Sequence, residues 1–123
     1  MAKKILVVED EPELVKALEV RLKTQDYEVV TAFDGEEGLN KAREENPDLI
    51  ILDIMLPKMD GFKVSRLLKF DERYEHIPII MLTAKAEQED KVLGEETGAD
   101  EYITKPFEWT YLSEKIKEHL GED

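Results

Sequence analysis

A chain of 123 residues with 30 acidic against 17 basic side chains, a formal charge of −13, argues against direct nucleic-acid contact, since binding phosphates needs a basic face. With no cysteine it can form neither a disulfide nor a thiolate metal centre. No apolar run nears the roughly 20 residues that cross a bilayer, and Met1-Ala2-Lys3-Lys4 leads straight into a strand pattern without a cleavable leader, so the expectation is one soluble, cytoplasmic domain over 1–123 with no membrane partner.

The elements alternate. A strand over about 4–8 ends in Glu9-Asp10. Pro12 suits a first helical turn, and Leu14, Val15, Leu18 and Leu22 give the following helix an apolar stripe. A second strand spans about 28–32. Asp34-Gly35-Glu36-Glu37 resembles a capping box opening the second helix, and Asn46-Pro47-Asp48 closes it. The third strand, Leu49-Ile50-Ile51-Leu52, ends in Asp53. A loop with Pro57 and Gly61 leads to a helix over about 62–70, and a strand from near Pro78 ends in Thr83. A fourth helix is expected over about 88–96. The short run Glu101-Tyr102-Ile103 then delivers Lys105 before Pro106, and a last helix covers about 110–120, its start weakly capped by Glu108. Short continuous apolar runs between helical patterns are buried parallel strands with right-handed crossovers and helices on both faces.

In such a doubly wound sheet, ligands bind beyond the carboxyl ends of the strands. One sheet edge should therefore gather Glu9, Asp10, Asp53, Thr83 and Lys105. At ~5 Å and an effective dielectric of ~20, each pair of like charges repels by roughly 3 kcal/mol, so three carboxylates must hold protons or bind a cation. Few carboxylates with room for water and a phosphate suit Mg²⁺; without Cys or a neighbouring His, zinc is disfavoured. A carboxylate is also a nucleophile toward phosphoryl groups. Asp53, on the central strand, is the natural acceptor. Glu9 and Asp10 would hold the metal, Lys105 would supply positive charge to the phosphoryl oxygens, and Thr83 a hydroxyl donor. The rest of the acid is a solvated surface. Met55 and Met81 are expected to pack, Trp109 to be partly packed, and His76 and His119 to be isolated and exposed. No P-loop or dinucleotide fingerprint is present.

Val7-Val8-Glu9-Asp10-Glu11, Leu52-Asp53-Ile54-Met55-Leu56-Pro57 with Asp60-Gly61, Met81-Leu82-Thr83-Ala84 and Gly98-Ala99-Asp100-Glu101-Tyr102-Ile103-Thr104-Lys105-Pro106-Phe107 together resemble the response-regulator receiver domain of two-component systems, most of all its winged-helix transcription-factor branch of the phosphate-regulon and osmoregulatory type. The resemblance implies a flavodoxin-like (βα)5 fold with strand order 2-1-3-4-5. It implies Asp53 as phosphoacceptor, Mg²⁺ on Glu9, Asp10, Asp53 and the Met55 backbone carbonyl, Lys105 on the phosphoryl group with a cis peptide before Pro106, and Thr83 and Tyr102 as a switch pair. Glu9 stands where Asp is commoner, and its longer arm favours metal contact through water.

The resemblance further implies phosphorylation by a sensor histidine kinase or histidine phosphotransfer protein. It implies a switch rather than an enzyme, catalysing only its own phosphotransfer and slow dephosphorylation. The output surface would be the fourth helix, fifth strand and fifth helix, acting on a downstream partner or tethered output domain. Lys91, Val92, Asp100, Glu101, Tyr102 and Lys115 lie on that surface, but Glu95, Tyr111 and Ser113 depart from the branch pattern, which points to a monomer or weak homodimer. Met55 and Lys85 offer no carboxylate or amide to position an attacking water. Three other readings fit less well. An aspartyl-phosphate phosphatase would need a second Asp where Met55 stands, a flavin carrier would need a hydroxyl-rich loop in place of Glu9-Asp10-Glu11, and a mere interaction module would not need the intact acid–Thr–Lys set.

Overall fold

The computed structural model describes residues 2–84 and 98–122. The predicted helix over 88–96, and with it Lys85, Lys91, Val92 and Glu95, lies outside the described residues. The elements are β1 (Lys4–Val8), α1 (Pro12–Thr24), β2 (Glu28–Ala32), α2 (Gly35–Glu45), β3 (Leu49–Asp53), α3 (Gly61–Lys69), β4 (Ile79–Ala84), β5 (Glu101–Lys105) and α4 (Trp109–Leu120). The strands form one parallel sheet in the order β2-β1-β3-β4-β5, the flavodoxin-like arrangement expected.

Alternation along each strand explains why the runs are apolar throughout. Leu6, Val8, Ile50, Leu52, Ile79 and Met81 face one side of the sheet, where Leu39 and Ala42 of α2 and Val64 and Leu68 of α3 cover them. Ile5, Val7, Leu49, Ile51, Ile80 and Leu82 face the other, against Leu18 and Leu22 of α1 and Leu112 and Ile116 of α4. β3, with neighbours on both edges and helices on both faces, is buried along its whole length, Asp53 included.

The helix starts follow local chemistry. Glu37 N–H donates to Asp34 Oδ1 at 2.7 Å, and Glu37 Oε1 accepts from Phe33 N–H at 2.7 Å, one residue ahead of the cap. Asp60 caps α3 by accepting from Lys63 N–H at 2.9 Å, which starts the helix at Gly61, a residue earlier than the apolar pattern predicts. Glu108 makes no side-chain cap bond. β5 continues two residues past its apolar run because pairing with β4 carries through Thr83–Thr104 and Ala84–Lys105.

Two expectations fail. Met55 does not pack; it is 66% exposed, because the loop after β3 carries it beyond the end of the sheet. His119 is not isolated; α4 lies along β5 and brings His119 Nε2 to 3.0 Å from Glu101 Oε2. His76 is exposed, Met81 is buried and Trp109 is half-buried, as expected; Arg21 lies 5.6 Å from the Trp109 ring centre.

Gly61 is required by the close approach of α3 to the end of β3. Its N–H donates to Ile54 O at 2.8 Å, and a Cβ there would overlap the Asp53 carbonyl oxygen and crowd Ile54 Cα. Because the obstacle is backbone, Gly61→Ala should cost about 1–3 kcal/mol of stability in urea denaturation.

Candidate functional site

The loops after β1, β3 and β5 meet at the carboxyl edge of the sheet. Parallel register sets Val8 beside Leu52, so the residues that follow them, Glu9 and Asp53, emerge side by side. Glu9, Asp10 and Asp53 each offer a carboxylate oxygen, and these oxygens lie within 4.8 Å of one another. Asp10 is exposed, whereas Glu9 and Asp53 are 0% and 4% exposed.

Lys105 reaches this group from β5. Its Nζ is 2.8 Å from Glu9 Oε1, 3.3 Å from Asp53 Oδ2 and 4.0 Å from Glu11 Oε1. The other Glu9 oxygen, Oε2, accepts from Glu11 N–H at 3.1 Å. Glu9 thus meets a donor at each carboxylate oxygen and holds both Lys105 and the loop entering α1. The Lys105–Pro106 peptide is cis, as the resemblance implies.

The electrostatics follow from burial. Desolvation pushes Glu9 up to about 7, against its bond to Lys105 and with the Asp53 charge adding to the rise. Burial likewise raises Asp53, opposed by the charge and hydrogen bond of Lys105. For Lys105 burial acts downward but is outweighed by Glu9 and Asp53, so its ammonium is held above the ordinary range. The edge is therefore an anionic cup balanced by one fixed ammonium, with burial raising the affinity of Glu9 for a proton. Oxygen donors alone, without sulfur or imidazole in the cluster, fit a hard divalent cation.

Thr83, one residue before the end of β4, lies next to Asp53, since Asp53 pairs with Leu82. It is 1% exposed, and its Oγ1 meets no hydrogen-bond partner among the described residues. A buried hydroxyl left so costs about 1–3 kcal/mol. Tyr102 packs its ring against the α2–α3 side of the core, with its hydroxyl buried.

Of the other expected surface residues, Asp100, Glu101 and Lys115 are engaged within the chain. Asp100 Oδ2 accepts from Lys69 Nζ at 3.0 Å and from Ile79 N–H at 2.8 Å. Glu101 lies 3.8 Å from Lys115 as well as 3.0 Å from His119. Sequence reasoning did not single out Glu11, whose backbone positions Glu9, nor the steric role of Gly61; an Asp-Gly pair opening a helix was the only local signal for the latter.

A family model for the response regulator receiver domain matches residues 5–117. The chain belongs to that family. It is 52% identical over 117 residues to the alkaline phosphatase synthesis transcriptional regulatory protein PhoP of Bacillus subtilis, covering 95% of this chain but 48% of PhoP, so it spans about half the length of that curated relative. Its fold matches the receiver domain of the sensor histidine kinase PA1611 from Pseudomonas aeruginosa, a structure described with a magnesium ion coordinated in the active-site cleft, with a TM-score of 0.89 at 31% identity over 99% of this chain and 100% of that one. It also matches the BeF3-activated N-terminal receiver domain of Klebsiella pneumoniae RstA, with a TM-score of 0.87 at 34% identity over 95% and 97% of the two chains. Receiver domains are signalling switches of two-component systems. Among the described residues no helix is long and apolar enough to cross a membrane.

The raised Glu9 pKa makes metal-free stability depend on pH. A group whose folded pKa lies above its unfolded value stabilises the fold fully below the unfolded value and loses that contribution as pH rises through the folded one. In EDTA, unfolding free energy should fall by about 1 kcal/mol between about pH 6 and about pH 8, and Glu9→Gln should flatten that slope.

Proposed function

We propose that this receiver domain is a switch driven by phosphorylation of Asp53. The observation that carries the reading is the position of the Asp53 carboxylate, at the end of the central strand, 3.3 Å from the Lys105 ammonium and within 4.8 Å of Glu9 and Asp10 oxygens.

In the proposed step an Asp53 carboxylate oxygen attacks the phosphorus of a phosphohistidine on a sensor kinase or phosphotransfer protein. The P–O bond forms as the P–N bond breaks, and the imidazole leaves with the electron pair. Lys105 offsets the charge of the phosphoryl oxygens, and burial strengthens its effect. Glu9 holds the Lys105 ammonium in place. The Thr83 hydroxyl gains a phosphoryl oxygen as acceptor, and Tyr102 moves with it. Mg²⁺, held by Glu9, Asp10, Asp53 and the Met55 backbone carbonyl, would supply the remaining charge neutralisation.

The output surface in this proposal includes β5 and α4, with Asp100, Glu101, Tyr102 and Lys115 on it; the expected Lys91 and Val92 lie outside the described residues. It would act on a tethered output domain or a downstream protein. Similarity to a transcriptional regulatory protein supports a transcriptional output, while the charge of −13 supports a domain that does not itself touch nucleic acid. Engagement of Asp100 and Glu101 within the chain supports a monomer or weak dimer. A cytoplasmic location is proposed on the same similarity.

Incubation with acetyl phosphate and Mg²⁺, followed by intact mass, should show one added phosphoryl group in the wild type and none in Asp53→Asn; labelling that persists in the mutant refutes the assignment. Met55 points no carboxylate or amide at the site, so the phosphoryl group should outlast a scale of seconds when purified protein is freed of donor. A half-life of seconds contradicts that part of the proposal.

A further inference from the structure

α3 is unlike the other described helices of this acidic chain. Between Gly61 and Lys69 it carries Lys63, Arg66 and Lys69 and no acid, whereas α1, α2 and α4 each contain glutamates. Its buried side is Gly61, Val64, Ser65 and Leu68. Helical spacing then places Phe62, Lys63, Arg66, Leu67 and Phe70 together on the opposite side. Leu67 is 37% exposed and Phe70 68%, large apolar surface in water.

That side borders an open groove of about 1360 Å³, lined also by Arg43 of α2 and by Arg73. None of Glu9, Asp10, Asp53, Thr83 or Lys105 lines it. Of the groove's three acids Glu72 is exposed and the other two are already committed. Asp60 caps α3, and Asp71 holds Arg73 through Nε at 3.1 Å and Nη2 at 2.8 Å. Arg43, Lys63 and Arg66 enter no ion pair within 4.0 Å among the described residues. In a chain with 30 acids for 17 bases, three cations without an ion pair within 4.0 Å among the described residues, beside exposed apolar surface, are an unusual concentration.

Size and charge choose the occupant. Small-molecule sites are enclosed and run to about 300–1,000 Å³, whereas this groove is larger and open. A second copy would bring another −13 of charge to the contact. An amphipathic helix laid in a groove offers apolar anchors on one side and charge along its flanks. We propose that the α2–α3 groove docks an acidic amphipathic segment of another protein. The segment's apolar side covers Phe62, Leu67 and Phe70, and its carboxylates meet Arg43, Lys63 and Arg66. This inference stands apart from phosphoryl transfer at Asp53.

The test is fluorescence anisotropy with a labelled synthetic helical peptide carrying leucines at i, i+3, i+4 and i+7 and glutamates elsewhere, beside a shuffled peptide of the same composition. The ordered peptide should bind saturably, and the shuffled one about tenfold more weakly. Phe70→Ser and the double variant Arg43→Glu/Arg66→Glu should each weaken binding by about tenfold with the fold intact by circular dichroism, and Leu67→Ser serves if Phe70→Ser lowers the melting temperature. No saturable binding, equal affinity for the shuffled peptide, or variants that bind like wild type overturn the proposal. A concentration-dependent dimer in sedimentation velocity that Phe70→Ser abolishes also overturns it, assigning the groove to a second copy.

Discussion

The Lys105 ammonium lying between two buried carboxylates is the contact on which the rest of this domain turns. Glu9 and Asp53 sit at the ends of neighbouring parallel strands, out of water and close enough to repel. Hydrophobic burial of β1 and β3 drives them there, and neither strand can shift without turning its apolar residues to the wrong face. The cost is offset by an ammonium from a third strand and by the Glu11 N–H, while burial still leaves the Glu9 carboxyl raised from its ordinary range. A site of this kind is destabilised by design of its topology, and whatever brings positive charge to it gains from relieving that.

The surrounding elements are arranged to keep the cup in place. Gly61 lets the start of α3 press against the Asp53 backbone, and Asp60 caps that helix at the same spot. Lys69, near the other end of α3, donates to Glu75 O, Ile77 O and Asp100 Oδ2, tying the helix to the turn before β4 and to the entrance of β5. The helix that begins beside Asp53 therefore ends in bonds to the strand that carries Tyr102 and Lys105. Charged pairs that look from sequence like offers to a partner, Asp100 and Glu101, are used in this internal framework.

Much of this was legible in the sequence because it depends on local chemistry. Continuous apolar runs, their acidic or hydroxyl ends, Pro12 at a helix start and the Asp34–Glu37 pair specify strands, helices and caps within a few residues of one another. Once the runs are strands of a doubly wound sheet, their carboxyl ends must share an edge, so Glu9, Asp10, Asp53, Thr83 and Lys105 were nameable as one group. Order and spacing of the motifs supplied the family.

What folding alone decided are the pairings between residues distant in the chain. Glu9 and Lys105 are 96 positions apart, and no local pattern says that the glutamate would spend one oxygen on that lysine and the other on Glu11 N–H. His119 meets Glu101 because α4 lies along β5, and Met55 is exposed because its loop overshoots the sheet. The outer face of α3 becomes a groove only when α2 supplies Arg43 beside it. Period and capping act over a turn or two of backbone, whereas these contacts depend on how helices pack across the sheet, and that is set by the whole core at once.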